Sequence, residues 1–181
     1  MKNRKSLAVV TLGASMFVIA GCGKHEPAEA PAPAAAAPAA PVAAAAVPLE
    51  RLEMAPADVP AGGNCSLDTI NGQPVAAAVG SLRAGEAATF VGWAGDPEGQ
   101  VPTDVRLVLS NAEGAFAAAA TTGTDRPDVA AALGKPGLAR AGLSVSTTLP
   151  EAPGNYRVSV LMGSPAAFHC QFEVEIPLAA S

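Results

Sequence analysis

Aromatic and basic residues are scarce in this chain of 181 residues. It has one tryptophan, one tyrosine and five phenylalanines, and 11 lysines and arginines stand against 16 aspartates and glutamates. A chain with this acidic excess lacks the basic surface that draws nucleic acid by charge, so we predict no nucleic-acid partner. The sequence also has only two histidines. Histidine is the commonest general base and metal ligand, so its scarcity limits catalytic and metal sites.

Catalytic and metal-binding motifs are also missing. His25 lies near the N-terminus in a low-complexity stretch, which leaves His169 for any site in the folded region, and no Gly-x-Ser-x-Gly elbow accompanies it. The acids Asp96, Glu98 and Asp104 could supply paired carboxylates or calcium ligands, but they lack the alternation of a calcium loop. We predict no catalytic residue, cofactor or metal. The alternative is a small periplasmic polysaccharide-acting enzyme with dispersed carboxylates.

The first 22 residues carry the features of an export signal. Three basic residues within the first five positions precede an uncharged, largely apolar run over 7–20, and Gly21 and Cys22 follow it. This run is shorter than the roughly 20 residues of a transmembrane helix, so it fits the apolar region of a signal peptide. The run and its cysteine resemble the lipobox of bacterial lipoprotein precursors. An ordinary secretory signal with an incidental cysteine is the alternative.

The resemblance implies a processing step and a location. Such precursors are cleaved before the cysteine, here Cys22, which receives a diacylglycerol thioether and an acylated amino group. Gly23 is not the aspartate that favours retention in the inner membrane of such families. The expected location is therefore a membrane, held by the lipid anchor, and by default the outer membrane facing the periplasm.

A low-complexity segment separates this signal from the rest. Residues 28–48 are almost entirely alanine and proline. Alanine offers little area to bury and repeated proline interrupts helices, so we predict a disordered tether that reaches at most roughly 65 Å. The predicted organisation is a signal peptide over 1–21, a lipidated cysteine and Ala/Pro-rich linker over 22–57, and one folded domain over 58–181.

The folded region shows a hydrophobic period of two. In residues 168–176 apolar residues alternate with polar ones, which predicts a half-buried strand. The same pattern predicts further strands over 156–162, 105–109, 143–149 and 89–94, and weaker ones over 65–70, 74–79 and 115–121. Turn sequences such as Asn71-Gly72 and Pro153-Gly154 separate them. Short strands at this spacing predict an all-β, immunoglobulin-like antiparallel β-sandwich, with a closed barrel as the alternative.

One segment, 125–134, predicts a short connecting helix. Asp125 is the expected N-cap, Pro127 lies in the first turn and Gly134 ends the helix. We expect Arg126 and Asp128 to cap this helix and position it against a sheet.

The stretch from Gly92 to Val160 also resembles a β-sandwich module of bacterial cell-envelope and surface proteins. The residues that carry the resemblance are Gly92-Trp93-Ala94, Asp96, Arg126-Pro127-Asp128-Val129, Ala141-Gly142-Leu143 and Pro153-Gly154 before Tyr156. The resemblance implies a non-catalytic accessory domain.

The three cysteines predict one disulfide bond. With Cys22 lipidated, Cys65 and Cys170 remain as a pair in a compartment that is kept oxidising. Their bond would join the first and last predicted strands. A reactive or metal-binding thiol is the alternative, but no CxxC spacing and no basic cluster supports it.

Together these features predict a membrane-anchored envelope lipoprotein with a displayed, non-catalytic β-sandwich. Its expected partner is an envelope protein or polysaccharide. Trp93 is the candidate contact residue, because exposed aromatic residues are common in binding surfaces. Strand parity places Trp93 opposite Phe90 and Gly92, and it leaves open whether the indole is exposed or belongs to the core.

Overall fold

A computed structural model describes residues 46–181, so the predicted signal peptide, Cys22, His25 and most of the predicted tether lie outside the described residues. The strands are β1 (Glu50–Leu52), β2 (Asn64–Ile70), β3 (Gln73–Pro74), β4 (Ala87–Gly95), β5 (Val105–Asn111), β6 (Gly114–Ala119), β7 (Thr121–Thr124), β8 (Gly142–Thr148), β9 (Gly154–Met162) and β10 (Phe168–Leu178). The α-helices are α1 (Val75–Ala78) and α2 (Pro127–Leu133), and 3₁₀ turns lie at Pro56–Asp58, Val79–Ser81 and Pro136–Arg140. No helix within 46–181 is long and apolar enough to cross a membrane.

The strands form two antiparallel sheets of five strands each. Sheet I has the order β3-β2-β4-β8-β7, and sheet II has the order β1-β6-β5-β9-β10. Without the short strands β1 and β3, sheet I follows the A-B-E-D order of an immunoglobulin sandwich and sheet II its C′-C-F-G order. The predicted immunoglobulin-like antiparallel β-sandwich is confirmed.

The core lies between the sheets. It consists of the apolar side chains that alternate with polar ones along each strand and therefore share one face. Phe90 of β4, Val145 of β8 and Leu107 of β5 are each at most 1% exposed. Val158 of β9 and Ile176 of β10 are fully buried. Burial of apolar area contributes roughly 25 cal/mol per Å², so this shared face is the main stabilising feature of the sandwich.

One predicted strand, over 74–79, is wrong. Only Pro74 belongs to a strand there, and the chain continues into helix α1 and then the 3₁₀ turn at Val79–Ser81. Three consecutive alanines follow Val75, and alanine has the highest helix propensity, which explains the local helix. Val75 and Val79 are four positions apart, which fits one face of a strand and one face of a helix equally, so their spacing does not specify a strand.

The predicted helix over 125–134 is present as α2, with one difference at its start. Gly134 ends it in the left-handed conformation with a φ of 64°, as expected for a glycine C-cap. The N-cap is Arg126 rather than Asp125, and no side chain caps the first turn. Asp125 instead lies 3.5 Å from the guanidinium of Arg140, beyond the helix.

The sandwich begins about ten residues before position 58, which is the predicted start of the folded domain. Val47 donates its backbone N–H to Ser146 on β8 at 2.7 Å, and β1 pairs with β6 in sheet II. Val47 and Leu49 are partly buried against the core. The first strand contacts therefore begin at the alternate apolar residues Val47 and Leu49, although the surrounding composition is proline-rich.

The disulfide between Cys65 and Cys170 is present and joins the two sheets. Cys65 lies on β2 of sheet I and Cys170 on the edge strand β10 of sheet II, with Cα atoms 6.1 Å apart. The bond closes a loop over a sequence separation of 105. It therefore ties together the two ends of the sandwich.

A tyrosine corner closes the connection between β8 and β9. The hydroxyl of Tyr156 donates a hydrogen bond of 3.0 Å to the carbonyl of Ala152, four residues upstream. Tyr156 is 1% exposed. Immunoglobulin-like sandwiches use such a tyrosine at the start of strand F, which is the position of β9 here. The bond fixes the entry of the chain into β9.

Tyr156→Phe is expected to lower the free energy of unfolding by about 0.5–1.5 kcal/mol, the net value of one hydrogen bond. Burial raises the pKa of the Tyr156 hydroxyl, and the negative charge of Glu113 raises it further, while a hydrogen bond with Asn111 lowers it. The wild type therefore loses stability above about pH 10, where the unfolded tyrosine ionises first. Urea unfolding at pH 7 and pH 11 should show a smaller alkaline loss for the variant, and an equal loss contradicts this assignment.

Candidate functional site

Residues 53–63, named here the strap, cross the outer face of sheet II. The strap leaves β1 at one edge of the sheet and reaches β10 at the other, where Ala61 forms a bridge with His169. Backbone bonds of 2.9 and 3.0 Å link His169 to Pro60 and Gly62. Val59 is buried in an apolar cluster that includes Val108, Leu161 and two alanines of β6. The outer face of sheet II is thus partly covered by the chain itself.

A groove of about 580 Å³ lies beside the strap. One wall is the first half of the strap, and the other is the hairpin between β5 and β6. Outward side chains of β9 and β10 form its floor. The lining residues that carry polar or charged side chains are Arg51, Glu53, Ser110, Asn111, Glu113, Arg157, Ser159, His169 and Gln171.

Ser159 on the floor has a buried hydroxyl with no partner. The side chain is 4% exposed, and its Oγ has no hydrogen-bond partner among the described residues. Ser159 lies directly opposite Gln171 in the pairing of β9 with β10. An unpartnered buried polar group costs about 1–3 kcal/mol, so natural proteins rarely keep one without a reason. The floor of the groove therefore contains a buried hydroxyl that no described residue satisfies.

His169 is half-buried at the end of the groove, on the polar face that the strand pattern predicts. Its Nδ1 lies 2.6 Å from the carbonyl of Val59 in the strap. A carbonyl only accepts, so Nδ1 carries the proton, and Nε2 of the neutral ring is an acceptor. The Oγ of Ser159 has no hydrogen bond to this ring. The two residues thus share a groove but do not form a nucleophile–base pair.

Charges of both signs line the groove. Arg51 donates a hydrogen bond of 2.9 Å to the carbonyl of Glu113, and its guanidinium lies 5.7 Å from the centre of the Phe116 ring. Arg157 is exposed and, within residues 46–181, has no carboxylate within 4.0 Å. Glu53 and Glu113 contribute carboxylates. The groove therefore combines two guanidiniums with two carboxylates.

Trp93 lies on the other sheet, away from the groove. Its side chain is half-buried on the outer face of sheet I, packed against Val129 of α2 and against Leu138 and Ala141 beyond that helix. The indole thus belongs neither to the core between the sheets nor to a fully exposed surface. Its contacts attach α2 and the following turn to sheet I.

Arg126 holds α2 against sheet I from the helix N-terminus. Its guanidinium lies 2.6 Å from a carboxylate oxygen of Asp68 on β2 and 2.8 Å from one of Asp128 in the first turn of the helix. The Arg126 hydrogen bonds lower the pKa of Asp128, and the bonds to Asp128 and Asp68 raise the pKa of Arg126 against the opposing effect of burial. The expectation that Arg126 and Asp128 position the helix is consistent with these contacts.

Arg126→Ala is expected to lower the free energy of unfolding by about 1.5–3 kcal/mol, because it removes charged hydrogen bonds at a side chain that is 20% exposed. Arg140→Ala is the matched control, since its pair with Asp125 is exposed and such pairs contribute about 0–1 kcal/mol. Denaturant unfolding followed by the single tryptophan measures both variants. Equal stability losses would contradict this role for Arg126.

The acidic loop singled out in the sequence builds a turn. Asp96 accepts a hydrogen bond of 2.7 Å from the backbone N–H of Gln100 through its side chain. Asp96 and Glu98 line a second, smaller cavity of about 210 Å³, and Asp104 is exposed. Within residues 46–181, no group of three or more His, Cys, Asp or Glu side chains is placed to hold a metal ion.

Apart from His169, the groove residues were not identified from the sequence, although one signal was present. Outward positions on half-buried strands are usually polar, yet β9 has Ser159 and Leu161 outward and β5 has Val108. Small or apolar residues at outward positions indicate that something covers the face. Here the cover is the strap.

No protein-family model matches this chain, and no curated protein or solved structure is significantly similar to it. The immunoglobulin-like topology alone does not indicate a function, because such sandwiches serve many roles. What the chain does is therefore inferred from its groove and its N-terminal sequence.

Proposed function

We propose that this protein is a lipid-anchored envelope lipoprotein whose β-sandwich binds an envelope protein or polysaccharide without catalysing a reaction. The groove beside the strap is the binding site, and the unpartnered hydroxyl of Ser159 on its floor is the observation that carries the proposal. The lipid on Cys22 holds the chain at the membrane, by default the outer membrane with the domain in the periplasm. Trp93 takes no part in this site.

The rigid positions of the groove side chains support a binding role. One of the two floor strands of the groove is β9, which pairs with β5 on one side and β10 on the other, so two ladders of backbone hydrogen bonds fix the positions of Ser159 and Arg157. Sites on paired strands hold side chains more precisely than sites on loops. The strap wall is fixed in turn by the burial of Val59 and the bonds to His169.

The disulfide supports the envelope location. Bonds such as Cys65–Cys170 form and persist in oxidising compartments, which include the bacterial periplasm, and are rare in the cytosol of mesophiles. The bond also uses both cysteines of the folded region and leaves Cys22 free for lipid. This matches the lipobox pattern at the N-terminus.

The geometry around His169 supports a role in binding rather than catalysis. A catalytic histidine that activates a serine bonds that serine through one nitrogen and is oriented by a third group through the other. Here the ring is oriented by the carbonyl of Val59, and the hydroxyl of Ser159 is not bonded to it. The side chain instead fixes the strap.

Affinity purification from crosslinked cells tests the proposal, with Gln171→Trp to fill the groove and Gln73→Trp as the matched control. Both glutamines are exposed, but Gln73 lies on β3 of sheet I. We expect the wild type and Gln73→Trp to retain the same protein or polysaccharide and Gln171→Trp to lose it. Equal capture by Gln171→Trp overturns the assignment of the groove. Release of reducing ends from a captured polysaccharide overturns the non-catalytic role.

A further inference from the structure

We propose that the groove binds a neutral, hydroxyl-rich segment of a glycan. This inference rests on the proposed function and selects polysaccharide over protein as the partner. It follows from the balance of hydrogen-bond donors and acceptors in the groove, from the buried hydroxyl on its floor, and from the position of the groove on a sheet face.

The charges of the groove favour a neutral ligand. Arg51 and Arg157 donate only, whereas the carboxylates of Glu53 and Glu113 accept only. A carboxylate or phosphate ligand would pair with the arginines but would be repelled by both glutamates. A sugar hydroxyl donates one hydrogen bond and accepts others, so a row of hydroxyls can satisfy both kinds of group.

The floor favours the same chemistry. The amide of Gln171 offers a donor and an acceptor, and Nε2 of His169 is an acceptor because Nδ1 is bound to the strap. The Ser159 hydroxyl, which can donate or accept, has no partner, and less than 1 Å² of its oxygen is accessible. A ligand hydroxyl, directly or through one water, supplies that partner once the exposed side chain of Gln171, which lies opposite Ser159, moves aside.

The position of the groove disfavours a peptide. Peptides that bind sheets usually add a strand at an exposed edge, where backbone groups are unpaired. The groove lies on the face of sheet II, where β9 is paired on both sides, and the edge strand β10 is bonded to the strap at His169. Protein partners usually bind through a buried aromatic or arginine anchor. No aromatic residue lines this groove, Arg51 is already bonded to Glu113, and Arg157 is exposed rather than buried.

The lack of an aromatic platform also sets the expected strength. Without a ring to stack on the sugar, affinity depends on hydrogen bonds that replace bonds to water, and each contributes little net free energy. We expect dissociation constants of roughly 0.1–1 mM for a short oligosaccharide. A long polymer that presents many equivalent segments would be retained more firmly through repeated binding.

Isothermal titration of the mature lipoprotein in nanodiscs tests the ligand class. The probes are cellohexaose and chitohexaose as neutral glycans, a hexamer of galacturonate as the anionic glycan, and an acidic peptide. We expect at least one neutral hexamer to bind about tenfold more tightly than the galacturonate hexamer or the peptide. Ser159→Ala and Arg157→Ala should each weaken that binding about fivefold to tenfold.

Matched variants separate binding from folding. Ser144→Ala changes a serine on sheet I, and Arg106→Ala changes an outward arginine of sheet II that does not line the groove; both should bind as the wild type does. Ser159→Ala removes an unpartnered hydroxyl, so its unfolding temperature should equal or exceed that of the wild type. Lower affinity together with retained stability supports the proposal.

Four different results would contradict the ligand class, the site, the glycan partner or the proposed function. Tighter binding of the galacturonate hexamer overturns the neutral class, and glycan binding that Ser159→Ala and Arg157→Ala leave unchanged overturns the site. Failure of every glycan, with a protein captured from cells in a manner that depends on Gln171, overturns the glycan and leaves the proposed function standing. Failure of every glycan with no such capture overturns both.

Discussion

Replacing Cys22 by serine is expected to abolish lipidation and processing of the chain. Under the proposed anchoring, a diacylglycerol group is transferred to the Cys22 sulfur, and cleavage before Cys22 depends on that transfer. A serine hydroxyl is a far weaker nucleophile than a thiolate, so neither step occurs. The variant should keep residues 1–21 and carry no lipid, whereas the wild type should begin at Cys22 with its acyl chains attached.

Intact mass spectrometry of the purified protein distinguishes these products. A third chain, with residues 1–22 replaced by a cleavable secretory signal, should be recovered in the soluble periplasmic fraction. Each buried CH₂ contributes roughly 0.8 kcal/mol, so loss of several acyl chains removes the whole anchoring energy. A wild-type protein of unlipidated mass, or a third chain that still sediments with membranes, would contradict the anchor.

Replacing both Cys65 and Cys170 by serine is expected to lower the free energy of unfolding by about 4–5 kcal/mol in the chain-entropy model. The value is large because the bond closes a loop over a sequence separation of 105. For a domain of this size the unfolding temperature should fall by about 10–20 °C. Urea and thermal unfolding followed by circular dichroism measure both quantities.

Loss of the disulfide should also loosen the strap, which forms one wall of the groove. His169, which is bonded to the strap through Val59 and Pro60, is the chain neighbour of Cys170. A freer β10 would loosen the strap and expose Val59 to proteolysis. Reduction of the wild type should reproduce the effect, and the double variant should not respond to reductant. A stability change below about 1 kcal/mol would contradict a stabilising role for the bond.

Much of the sandwich was predictable because its strands are half-buried. In β9 and β10 every second residue faces the core, so the chemical alternation of the sequence maps directly onto the two faces of a strand. The Cys65–Cys170 pair was predictable for a different reason, since the expected lipidation of Cys22 leaves two cysteines. Helix α1 was missed because four residues of alanine-rich sequence carry no period that could distinguish a helix from a strand.

The groove could not be predicted from the sequence, since it depends on a segment with linker-like composition. The strap contains Pro56, Ala57, Pro60 and Ala61, which are typical of the preceding tether. The strap is fixed by its one buried residue, Val59, and by backbone bonds to β10, and neither leaves a periodic signal. Trp93 was predicted as a contact residue from its type alone. In the structure it packs against the turn around Leu138, which is distant in sequence, so this environment could not be read from the strand pattern.

Site-specific photocrosslinking in living cells tests the binding role most directly. A photoreactive amino acid is placed at Gln171 in the groove or at Val91, which is 37% exposed on the outer face of sheet I. Crosslinked species are then identified by mass spectrometry and sugar analysis. A discrete adduct with an envelope component from position 171, and none from position 91, is the predicted result. Equal adducts from both positions, or an adduct from position 91 alone, would contradict a binding site in the groove.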